Sequence, residues 1–116
     1  MNRTAAGDLR TVFGAAYLVV SCAMSCQALA ADAKQTFLDN CAACHGEDAR
    51  GVKDQGADLT TSPLVKRSSD ATLIEFLKMG RQPDAPDSTM KLLMPAFDYL
   101  SDEDLAKAVA YARNPK

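Results

Sequence analysis

The 116-residue chain contains no tryptophan and one histidine, and its other aromatics are three tyrosines and four phenylalanines. A site needing two imidazoles is therefore excluded. With 13 basic against 15 acidic residues the chain lacks the positive excess that nucleic-acid binding draws on, so nucleic acid is not an expected partner. Alternating runs of β-branched and polar residues are missing too, which speaks against a sheet and against the βαβ setting of a thioredoxin-like dithiol. Internal repeats and low-complexity tracts are absent, and the length leaves room for one domain.

A membrane-spanning run is also lacking. The apolar stretch Val12 to Val20 reaches about half of the roughly 20 residues that a spanning helix needs. It follows Arg3 and Arg10 and precedes the small-x-small triplet Ala28-Leu29-Ala30, the order of a secretory leader. Cleavage after Ala30 is expected, leaving residues 31–116 as one domain with no stable membrane insertion. Val19-Val20-Ser21-Cys22 loosely resembles a lipoprotein box, so a lipid tether at Cys22 is the competing outcome. Setting aside Arg3, Arg10 and Asp8 of the leader, 11 basic and 14 acidic residues remain, a balance of −3.

Processing would remove Cys22 and Cys26 and leave Cys41 and Cys44. In an oxidising compartment a pair of cysteines suggests a disulfide, but two intervening residues close a loop too small to stabilise much. Structural zinc wants four ligands, and Cys41-Ala42-Ala43-Cys44-His45 offers three. Cys-x-x-Cys-His is the attachment signature of c-type haem. Thiols at i and i+3 of a helical turn lie on one side and each bond a vinyl group, while the adjoining His45 ligates the iron. One covalently attached haem c is the expected cofactor.

An electron-transfer haem takes a second axial ligand, and a thioether favours the reduced iron. The candidates are Met79, Met90 and Met94. Met79 ends the apolar stripe of Leu73, Phe76 and Leu77 and is expected to pack inward. Met94 is preferred, because Pro95 forces its backbone to be extended and it lies far enough along the chain to reach the opposite haem face. Met90 remains the second choice.

Periodicity and capping predict an all-α fold of three to four short helices with long loops wrapped around the cofactor. One helix is expected from about Lys34 to Ala43, with Phe37, Leu38 and Cys41 on one face. A second follows the Ser68-Ser69 cap, covers Asp70 to Met79 and stops at Gly80. The third starts at Ser101, carries Asp102, Glu103 and Asp104 where the helix dipole favours negative charge, and buries Leu105, Val109 and Ala112. Residues 46–62 and 81–93 are rich in Gly, Pro, Asp and Ser and read as loops.

From Phe37 onward the chain resembles the class I monohaem cytochromes c. The resemblance rests on Cys41-Ala42-Ala43-Cys44-His45-Gly46, Met94-Pro95-Ala96-Phe97 and Leu100-Ser101-Asp102-Glu103-Asp104-Leu105 leading into Val109-Ala110-Tyr111. It implies that Phe37 meets the terminal helix near Tyr111, and that a backbone carbonyl before Asp58-Leu59 accepts a hydrogen bond from His45. The family usually has proline there; this chain has Ala57, which keeps the carbonyl but loses the fixed φ.

The expected function is a periplasmic electron carrier, monomeric or in weak transient complexes, and not an enzyme by itself. Its partners would be periplasmic redox proteins, a dehydrogenase as donor and an oxidase or reductase as acceptor. Lys66, Arg67, Lys78, Arg81 and Lys91, the basic residues of the segments expected to rim the cofactor, are interleaved with Asp70, Glu75, Asp84 and Asp87, which predicts a solvated surface of mixed charge in preference to a basic docking patch. Two alternatives are a cytochrome subunit accepting electrons from a periplasmic dehydrogenase, and a five-coordinate haem that binds gas or reduces peroxide.

Overall fold

The structure, a computed structural model, describes the backbone of residues 13–116 and the side chains of residues 27–116. Most of the expected leader, with Cys22, lies outside the described side chains. Five helices follow in order: α1 (Phe13–Asn40), α2 (Ala42–His45), α3 (Pro63–Arg67), α4 (Asp70–Met79) and α5 (Asp102–Arg113). Among the described residues there is no strand, only two isolated antiparallel bridges, Val52 with Gly56 and Arg81 with Met94. No described helix is long and apolar enough to cross a membrane.

The first helix extends well N-terminal to the expected Lys34. It ends at Asn40, because Cys41 leaves helical geometry (φ −120°, ψ −30°) and the chain restarts as the single turn α2. The backbone still bridges the break, with the amides of Cys44 and His45 both donating to the Cys41 carbonyl at 3.2 and 2.9 Å. The two cysteines thus remain within one compact turn.

The core forms where α1 meets α5. Phe37, 1% exposed, packs on Tyr111 with ring centroids 4.9 Å apart and planes tilted by 44°. Such offset pairs add to the burial of the rings themselves. The Tyr111 hydroxyl donates to the Glu47 carbonyl at 2.8 Å, tying the segment after α2 to the same helix. Lys107 on α5 pairs with Asp32 of α1 at 2.8 Å, and with Glu103 at 3.1 Å.

Three serines cap the later helices, each hydroxyl accepting from a backbone N–H that lacks a helical partner: Ser62 from Val65, Ser69 from Thr72 and Ser101 from Asp104. Pro63 sits in the first turn of α3, where its missing N–H costs nothing. Arg113 then ties α3 and α4 to α5. Its Nη1 donates to the Val65 carbonyl, its Nη2 to Ser68 at 2.7 Å and its Nε to Asp70 at 2.9 Å.

Met79 departs from expectation: it is 73% exposed. Six residues beyond Leu73, at about 100° each, place it about 240° around α4 from the buried stripe. Leu73 is buried and Phe76 and Leu77 half-buried, so the stripe itself stands.

Candidate functional site

The turn carrying Cys41, Cys44 and His45 is held from both sides in sequence. Behind it, α1 presses Phe37 into α5. Ahead, the Gly51 amide donates to the His45 carbonyl at 2.6 Å, and the Leu59 amide donates to Ala49 at 2.8 Å, folding residues 46–59 back over the turn. Gly56 lies directly against Cys44, where an added Cβ would overlap the Cys44 carbonyl oxygen. A side chain at 56 would therefore displace the attachment turn.

The fold-back brings the Ala57 carbonyl to 2.8 Å from Nδ1 of His45. A carbonyl oxygen only accepts, so Nδ1 carries the proton and Nε2 keeps its lone pair for a metal. This orienting bond is the one the family resemblance implies, and here the carbonyl of an alanine supplies it.

On the other side of the site, Arg81 and Met94 pair through both backbone N–H to carbonyl bonds at 2.9 Å, and the Phe97 amide donates to Leu77 at 2.9 Å. These bonds hang the Met94 segment on the end of α4. Gly80 makes the approach possible, since its φ of +67° is left-handed and a Cβ there would lie 2.5 Å from the Met94 carbonyl oxygen.

Between the two halves lies a cavity of about 710 Å³, lined among others by Cys41, His45, Ala57, Leu73, Phe76 and Met94. A second cavity of about 210 Å³ shares Cys41, His45, Arg81 and Met94 and adds Cys44 and Met90. Met94 and His45 thus face common spaces, Met90 reaches only the smaller one, and Met79 reaches neither. The combined lining suits a flat apolar cofactor carrying a metal: two thiols in one turn, an oriented imidazole and a thioether.

Burial, and secondarily the neighbouring Cys44 thiolate, push the Cys41 thiol up to about 11. In the folded chain it is a poor nucleophile, whereas Cys44 is exposed. At the cavity wall, the Asp58 carboxylate accepts from the Thr60 hydroxyl at 2.6 Å and the Thr60 amide at 2.8 Å, which holds its pKa below the ordinary value. Periodicity gives no sign of Asp58 as a loop-fixing residue; the local Asp-x-Thr turn pattern is the signal that marks it.

A Cys-x-x-Cys-His turn, an oriented histidine and a methionine facing a shared apolar cavity in an all-α fold define a c-type cytochrome domain, with haem c as its covalently bound cofactor. The chain belongs to the family described as cytochrome c oxidase, cbb3-type, subunit III, which it matches over residues 28–111. It is 34% identical over 82 residues to the cbb3-type cytochrome c oxidase subunit FixP of Bradyrhizobium diazoefficiens, covering 70% of this chain and 25% of the relative. Similarity to the FixP subunit of Rhizobium meliloti is 35% over 88 residues, or 68% and 30% of the two chains. The CcoP subunit of Cereibacter sphaeroides is 39% identical over 66 residues, 56% and 23%. The chain therefore spans only about a quarter of the length of these relatives. No solved structure matches it.

Proposed function

We propose that this chain is the electron-carrying cytochrome of a cbb3-type oxidase system, and that its partner is the oxidase complex in preference to a free choice of redox proteins. Cys41 and Cys44 hold the cofactor by thioethers, His45 is the proximal ligand through Nε2, and Met94 is the distal ligand. The haem supplies a one-electron ferric/ferrous couple. The single Cys-x-x-Cys-His motif makes the domain monohaem, in the manner of class I cytochromes c. It works in the periplasm, with residues 1–30 as leader and residues 31–116 as the working domain.

The observation that carries this reading is the family match over residues 28–111, which covers both the His45 turn and Met94. Relatives named as oxidase subunits favour an enzyme-complex subunit over a diffusing shuttle. Lys78 bridges Glu75 and Asp102 at 3.1 and 2.8 Å, and Arg81 meets Asp87 at 3.0 Å, so these cations are matched within the chain and leave no free basic patch of their own.

The test mixes ferrous protein with oxygenated membranes carrying a cbb3-type oxidase. Reoxidation faster than with oxidase-free membranes is expected. Reoxidation at the control rate, with efficient reduction by a periplasmic dehydrogenase instead, contradicts the oxidase assignment. Rapid carbon monoxide binding by the native ferrous protein would contradict a Met94 ligand and favour a five-coordinate haem.

A further inference from the structure

His45 is oriented by a single carbonyl, so whatever fixes the plane of the Ala57–Asp58 peptide also fixes the tautomer. Ahead of that peptide the chain is pinned at Gly56, which pairs with Val52 through both backbone bonds at 3.1 Å. Beyond it the chain is pinned at Leu59, whose amide donates to Ala49 at 2.8 Å. Neither the Ala57 nor the Asp58 amide donates to a backbone carbonyl. Two soft residues therefore lie between the pins, and an alanine brings no fixed φ of its own.

Two contacts limit them. Gly51, at φ +86°, backs the peptide so closely that a Cβ there would lie 2.8 Å from the Asp58 nitrogen and 2.9 Å from the Ala57 carbonyl carbon. On the C-terminal side, Asp58 Oδ1 closes a local turn by accepting from both the amide and the hydroxyl of Thr60, at 2.8 and 2.6 Å. Bonds to a carboxylate are stronger than those between neutral groups.

We infer that Asp58 is a positioning residue for His45: its turn onto Thr60 supplies the rigidity that alanine lacks at position 57 and keeps the Ala57 carbonyl facing Nδ1; this rests on the haem reading above. With Oδ1 tied to Thr60 and Leu59 tied to Ala49, Asp58 is held from its C-terminal side, and the peptide ahead of it rotates only against Gly51. Such a rotation would swing the carbonyl away and release the Nδ1 proton to solvent. Asp58 therefore acts on the ligand through the backbone.

His45 is the one histidine of the chain, so isotope-labelled histidine gives a single ring to follow by NMR. Solvent exchange of its Nδ1 proton is measured in the ferrous holo-protein, together with the thermal unfolding midpoint of each variant. Asp58→Ala is expected to speed exchange about tenfold, the scale of losing hydrogen bonds to a charged group that hold a local structure closed. Asp58→Asn keeps the accepting oxygen and should stay near wild type. Ala57→Pro added to Asp58→Ala should slow exchange back toward wild type, because the proline ring fixes φ where the turn no longer does. Wild-type exchange in Asp58→Ala, even with a lowered midpoint, overturns the inference, since the turn then serves stability alone. Fast exchange that the proline does not slow overturns it as well. If Asp58→Ala yields no haem-loaded protein, recovery of loading on adding Ala57→Pro supports the inference and failure to recover overturns it. A wild-type product without haem defeats the cofactor reading itself, whereas haem bound with exchange indifferent to residue 58 defeats only this proposal.

Discussion

His45 gains its function from a neighbour that contributes no side-chain chemistry. The Ala57 carbonyl sets the tautomer, and the closeness of Gly56 to Cys44 brings that carbonyl into range. Gly56→Ala is expected to lower the yield of haem-loaded protein severely, since backbone rather than a flexible side chain stands in the way; haem stain per unit protein checks this. Among the methionines, Met94→Ala should abolish the charge-transfer band and let the ferrous protein bind carbon monoxide rapidly, while Met79→Leu and Met90→Leu leave both unchanged. Asp58 makes a pH prediction. Its hydrogen bonds with Thr60 lower its pKa in the folded chain from an ordinary 3.8, so its stabilising contribution is present above that value and lost as pH falls through the folded pKa. Asp58→Asn should therefore flatten the acid limb of the thermal unfolding midpoint below about pH 4 and leave the shape near neutrality unchanged.

At the scale of elements, legibility followed length. α4 and α5 carry ten and twelve residues with serine caps, and the expected bounds of α4 and the expected start of α5 agree with the observed ones. α3 has five residues, too few for a period to register. Its signals were local, Ser62 followed by Pro63. The break at Cys41 was equally hidden, because the apolar face of α1 continues through it. Arg113 could not be assigned a role from sequence, since its three acceptors lie 43 to 48 residues away. Truncating it removes a clamp from both α3 and α4: Arg113→Ala is expected to cost about 1.5–3 kcal/mol, the range for hydrogen bonds to a charged group, measured by urea unfolding of the holo-protein. Ser101→Ala should cost about 1 kcal/mol by the same measurement. Phe37→Ala, at the α1–α5 crossing, should cost about 3–5 kcal/mol.

For the whole molecule, the site was more legible than the framework around it. Covalent attachment demands a contiguous pentapeptide, so Cys41, Cys44 and His45 stand together in the sequence, whereas the partners that orient them come from residues 51–59, 80–81 and 94–97. Among the described residues only Phe37 and Leu105 are large side chains buried completely. A core of that size does little to offset chain entropy, and the cavity beside it is where a cofactor adds apolar contact. The haem-free chain is therefore expected to be largely unfolded, with circular dichroism showing no cooperative melt. The central claim, capture of one haem by Cys41 and Cys44, is tested most directly by intact mass spectrometry of the purified protein after thiol alkylation. The account predicts one covalently added haem and neither cysteine alkylated; a haem-free mass with both Cys41 and Cys44 alkylated would contradict it.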